Sequence, residues 1–218
     1  MRIAEEAGDR ELASYGLVRQ ALLTMYQGDG RSTVELAQLA QRSSTPSRVL
    51  GLAAQREAQG HALVGDHTAC MYALERAARH FAKAVEAPMA GPTLGTSHVS
   101  DPVGVVTGWC LVDLGRPVDA AEVLDREVAA IPPTAQRARA RFGVRQALAH
   151  AAAGEVDRAC EIAAEMLPLA LAVDSETINS DVYRLSVTLR RWRDHPAVTR
   201  VHPLLVAVLA SGRGSITT

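Results

Sequence analysis

The chain has 218 residues, of which 48% are hydrophobic and 4% aromatic, and its formal net charge is −1. That apolar content excludes a disordered chain, the scarcity of rings argues against a β-sandwich, and the charge balance lacks the basic excess of a nucleic-acid-binding domain. No apolar run is long enough to span a bilayer and the first residues lack the apolar stretch of a signal peptide, so a cytoplasmic protein without membrane contact is expected.

Taken in chain order, "RIAEEAGD" reads as the end of a helix and its turn, which places further structure upstream in a longer parent protein or an ancestor. The next helix is predicted from Asp9 or Arg10 to Gln27, ended by Gly28. Its partner contains Gly30, and its small residues Ala37 and Ala40 imply a register that slips relative to later pairs. Thr45-Pro46 caps the start of a third helix, ended by Gly65. Residues 87–100, rich in Gly, Pro, Ser and Thr, read as an inserted loop. Asp101-Pro102 and Thr134 are predicted N-caps, and Gly115 and Gly154 end the helices that follow them. The segment from Ser180 to Leu209 gives two helices broken at 194–196, with no loop glycine.

One unit recurs in this series. A small residue (Ala21, Ala58, Gly108, Ala147) lies seven positions before each loop glycine, and these glycines are 37, 50 and 39 residues apart. Five residues after the last three glycines come Cys70, Ala120 and Ala159, and four further on Leu74, Leu124 and Ala163. Small residues let two helices approach closely, and a hairpin that cannot bury its apolar face alone buries it by stacking. The expected fold is all-α, a tetratricopeptide-like right-handed superhelix of antiparallel helix pairs. It forms a single domain over 1–218, with repeats at roughly 9–44, 46–86, 101–132 and 134–173, closing helices over 174–210 and no DNA-binding domain. Cys70, Cys110 and Cys160 fall within apolar helical patterns and read as core residues of a reducing compartment.

The runs "AEEAGDRELASYG", "GWCLVDLGRPVDAAEVLDREV", "RARFGVRQALAHAAAGEVDRACEIAAEML" and "SETINSDVYRLSVTLRRWRDHPAV" resemble the tetratricopeptide C-terminal region of actinobacterial helix-turn-helix regulators of the Xre type. The resemblance implies a ligand-sensing or dimerising domain of a transcriptional regulator, one of secondary metabolism or development. The helix-turn-helix that binds DNA in that family does not precede these repeats, so direct nucleic-acid binding by this chain is not expected. The alternative is a stand-alone scaffold that binds a partner's peptide.

In such arrays the first helix of each pair lines the concave face. Leu22, Gln59, Trp109 and Leu148 follow the small residues by one position. Val18, Gln55, Val105 and Val144 lie a turn earlier, and Met25, Ala62, Val112 and Ala151 about a turn later. Ten of these twelve are apolar, so the expected site is an apolar groove for a small molecule or peptide, or one filled by a second subunit in a homodimer. Gln55 and Gln59 would be its fixed polar groups, Trp109 its anchor, and Tyr15 and Arg141 its rim. Arg137, Arg141 and Arg145 share one helical face, read as solvated or as a carboxylate or phosphate site. "LRRWRDH" reads as a closing helix with Trp192 tucked in, and His61 and His150 as packed residues. No metal-ligand spacing, phosphate loop or catalytic triad is present, and the twelve lining positions hold no titratable pair, so neither a cofactor nor an enzyme is expected.

Overall fold

The computed structural model describes residues 10–42, 46–86 and 99–214. Those residues are all-helical, with no strand among them. The helices are α1 (Arg10–Tyr26), α2 (Gly30–Ala40), α3 (Ser47–Leu63), α4 (His67–Glu86), α5 (Pro102–Asp113), α6 (Pro117–Ala129), α7 (Gln136–Ala153), α8 (Val156–Val173), α9 (Glu176–Leu189) and α10 (Pro196–Gly214). A 3-10 turn, Arg190–Trp192, follows α9. The chain divides into two compact units at residues 97 and 98, the first holding α1–α4 and the second α5–α10. The segment before Arg10, the Thr45 cap, and the predicted insertion apart from Val99 and Ser100 lie outside the described residues.

The hairpins are set by one turn chemistry. Gly28, Gly65, Gly115 and Gly154 all have φ between 73° and 88°, the left-handed region that costs a Cβ-bearing residue about 1 kcal/mol. Each turn closes the same way. At the first, the Gly28 N–H donates to the Met25 carbonyl and the Asp29 N–H to the Thr24 carbonyl, and the pairs at Gly65/Asp66, Gly115/Arg116 and Gly154/Glu155 repeat it. The last carbonyls of each first helix are thereby satisfied, and the chain reverses within three residues.

Across each hairpin the small residues meet. Ala21, Ala58, Gly108 and Ala147 are buried, and so are Thr33, Cys70, Ala120 and Ala159 on the partner helices. Thr33 corrects the expected slip: it stands five residues after Gly28, where its counterparts stand after their own glycines. A threonine fits this small-residue position because its hydroxyl donates to the Asp29 carbonyl and meets Thr24 Oγ1 at 3.0 Å. Gly30 serves a second contact, since a Cβ there would lie 2.8 Å from the Gly60 carbonyl of α3. Asp101 caps α5 as predicted, accepting from the Val103 and Gly104 amides. Thr134 does not cap α7. The Ala135 amide turns back onto the Pro132 carbonyl, and the helix begins only at Gln136.

α3 packs on α1, α2 and α4 in the first unit, and α7 on α5, α6, α8 and α9 in the second. These central helices are buried almost all round, from Ala53 to Gly60 and from Phe142 to Ala151. A helix so enclosed is expected to be apolar throughout. Both instead carry polar side chains: Gln55, Arg56, Glu57 and Gln59 on α3, and Arg145, Gln146 and His150 on α7. Every such group needs a partner, and where those partners come from defines the functional chemistry of the chain.

Candidate ligand site in the second unit

On α3 the enclosed carboxylate is amply satisfied. Glu57 accepts from Gln38 Nε2 at 3.2 Å and Gln41 Nε2 at 2.7 Å, pairs with Arg76 of α4, and has His61 Nε2 at 3.8 Å. A carboxylate with three donors from two neighbouring helices is a structural clamp. Gln59 is the opposite case. It is 0% exposed, and neither its amide nitrogen nor its oxygen has a hydrogen-bond partner.

On α7, His150 lies between two carboxylates, Nδ1 at 2.6 Å from Glu155 Oε2 and Nε2 at 2.9 Å from Asp125 Oδ1. Both contacts are hydrogen bonds only when both ring nitrogens carry protons. Burial works to raise the Asp125 carboxyl, but hydrogen bonds from Gln146 and His150 outweigh it and hold it below its ordinary value. His150 thus pins α7 to α6 and to the turn before α8, a more polar role than the packed residue expected.

Next to Gln146 on the same helix, a larger cluster is built around Arg145. Arg145, with 2% of its side chain exposed, contacts Asp181 Oδ1 of α9 at 2.7 Å and, more loosely, Asp113 Oδ1 of α5 at 3.5 Å. Arg184 of α9 reaches the same Asp113 oxygen at 2.7 Å. Beneath them lies Trp109, 0% exposed, with the Arg145 guanidinium 3.7 Å and that of Arg141 5.0 Å from its ring centroid. Arg141 also sits 5.6 Å from the Phe142 ring. Arg137, at the exposed end of the row, donates to Ser175 Oγ at 3.1 Å at the start of α9. Burial pushes the Asp181 carboxyl up, against the opposing pull of Arg145, Arg141 and Arg184. Three helices therefore converge on one polar layer, with four guanidiniums facing two carboxylates.

The arginine row is accordingly solvated only at its Arg137 end: α9 packs on the rest, and its Asp181 supplies a counter-charge to Arg145. The sequence-predicted groove residues fall into the two units. Tyr15 and Val18 pack in a core with Ala40, Val49 and Ala53. Leu22, Met25 and Gln55 are buried with Gln59 in the same unit. In the second unit Val144 and Leu148 belong to the core shared by α7–α10, Val112 packs against it, and Val105 is buried. These apolar side chains are enclosed by protein because the next hairpin covers the face that follows the small seam. Trp109 offers no open ring, since arginines already cover it. Arg141, half-buried, keeps unused donors, whereas the unused amide of Gln59 is fully enclosed. The sequence reading missed Asp113, Asp181 and Arg184, although Asp113 and Arg145 follow Trp109 and Arg141 by four residues on the same inner stripe.

The three cysteines are buried and form no disulfide, and among the described residues no cluster of His, Cys, Asp and Glu is placed to hold a metal. Trp192 packs against the α7–α10 core with Arg191 4.4 Å over its ring, as a tucked-in aromatic does. None of the helices among the described residues is long and apolar enough to cross a membrane. A comparison of the chain with protein-family models, curated proteins and solved structures finds no match.

Proposed function

We propose that this chain is a ligand-sensing and interaction module built from stacked tetratricopeptide-like hairpins, the sensory or dimerising part of a transcriptional regulator. The observation that carries the reading is the polar layer of α5, α7 and α9. Moving two carboxylates and a guanidinium out of water costs several kcal/mol per ion before pairing, and apolar side chains of similar volume would stack hairpins at least as well. A purely structural spacer has no use for that layer. A sensor does, because ions shared among three helices couple their positions, and a ligand that competes for one of them shifts all three. The assignment to a regulator rests on the family resemblance of the four runs quoted above.

Hydrogen–deuterium exchange of the whole chain, with and without the small-molecule fraction of the cells it is native to, tests the site. Slower exchange concentrated in α7 and α9 is the expected result. Protection confined to the first unit, or absent everywhere, overturns the reading.

A further inference from the structure

Arg141 differs from every other arginine of the layer. Arg145 is matched by Asp181 and Asp113, Arg184 by Asp113, and Arg137 by the Ser175 hydroxyl. Among the described residues Arg141 has no hydrogen-bond acceptor and no carboxylate within ion-pair distance, feeling Asp181 only as a more distant charge that Arg145 already contacts, and its Nε is fully buried without a partner. The side chain is not loose. Its guanidinium faces Trp109 at 5.0 Å and Phe142 at 5.6 Å, and ring contacts on the flat face leave the in-plane N–H groups available. The layer as a whole holds two more positive than negative charges, on a chain whose net charge is −1. A second unmet polar group stands on α9: buried Asn179, in the chain between Ser175, which meets Arg137, and Asp181, which meets Arg145, has no partner for either amide atom.

We propose that Arg141 is the binding site for the carboxylate of a small organic acid. One free guanidinium edge offers two parallel N–H donors, which match the two oxygens of a carboxylate and its single charge. A phosphate dianion asks for more donors than one fork supplies, and Arg145 and Arg184 are already engaged. The Trp109 ring holds the fork in place before the ligand arrives, so little rotamer freedom is lost on binding. This inference rests on the sensing reading and names the class of ligand for the same site.

The test is a titration of the whole chain carrying Trp192→Phe, which leaves Trp109 as its one tryptophan, with sodium benzoate and sodium acetate against benzamide and sodium chloride at constant ionic strength. Trp109 fluorescence reads the stacked guanidinium directly. The expected result is a saturable change with the carboxylates and none with the amide or chloride. Arg141→Gln abolishes it, Arg141→Lys keeps the charge and weakens binding about tenfold by losing the bidentate edge, and Arg191→Gln, an exposed arginine outside the layer, leaves it unchanged. Far-ultraviolet circular dichroism confirms that each variant is folded. Equal responses to benzoate and benzamide, or binding that survives Arg141→Gln, overturn the carboxylate site. If α7 and α9 are protected by cell extract while benzoate ignores Arg141, the sensing reading stands and this inference fails. If benzoate binds through Arg141 while no extract protects the layer, the site is real and the sensing reading fails.

Discussion

At Gly108 a Cβ would lie 2.5 Å from Leu124 Cγ, a separation no real pair adopts, and Leu124 is itself fully enclosed. Gly108→Ala therefore sets two effects against each other. Helix propensity gains about 1 kcal/mol, and overpacking the seam costs about 1–3 kcal/mol. The seam wins: urea denaturation is expected to show a net loss, and an unchanged or raised midpoint would mean the hairpin has slack that the geometry denies. Gln59 predicts the opposite sign. Its buried amide has no partner on either atom, so Gln59→Leu removes a desolvation cost of about 1–3 kcal/mol without removing a bond. The midpoint should rise, and a fall would show that Gln59 has an acceptor or donor in solution. Such residues were only half legible in the sequence. Ala21, Ala58, Gly108 and Ala147 announce themselves by spacing, whereas an orphan glutamine looks like any other polar residue on a helix.

Between elements, charge does what apolar packing does elsewhere. Arg145→Met leaves Asp181 buried with its main counter-charge gone and Asp113 with Arg184 alone, and the expected cost is about 3–5 kcal/mol. Adding Asp181→Leu should recover part of it, because an apolar pair needs no desolvation of ions. A double variant no more stable than Arg145→Met would show that Asp181 is not the group left uncompensated. The His150 clip gives a pH dependence. Asp125 has a folded pKa below its ordinary value of 3.8, so the stability it contributes is present above that value and is lost as pH falls through the lower, folded one. The carboxylate is part-exposed, so the effect is modest. Unfolding midpoints taken from pH 7 down to about 3 should fall less for Asp125→Asn than for the parent chain, and equal slopes would rule the clip out as an acid-sensitive contact.

Over the described residues, helix existence and turns are legible because glycine at a left-handed turn and a small residue seven positions earlier are local signals. Thr33 and Thr134 were misread for equally local reasons. A threonine can pass for a break in a small-residue register, and it can resemble a cap when a preceding Pro-Pro turn has already delayed the helix. The burial of the groove residues is a different matter. The sequence gives the direction in which Val144 or Leu148 points along α7, but not that α8 and α9 close over it.

At the scale of the molecule, a nearly neutral chain hides a local cationic excess, because Asp113 and Asp181 answer only part of the charge that Arg137, Arg141, Arg145 and Arg184 bring together. Global charge argued against nucleic acid and was silent about a small anion, since two unmatched charges vanish in a sum over 218 residues. The central claim is that the layer of α5, α7 and α9 holds a ligand. Native mass spectrometry of the chain purified from its own cells, run beside Arg141→Gln, tests it most directly. The account predicts an added mass on the parent chain, released by denaturation as a small carboxylic acid, and a bare variant that is still folded. Bare species from both chains, or the same added mass on both, would contradict it.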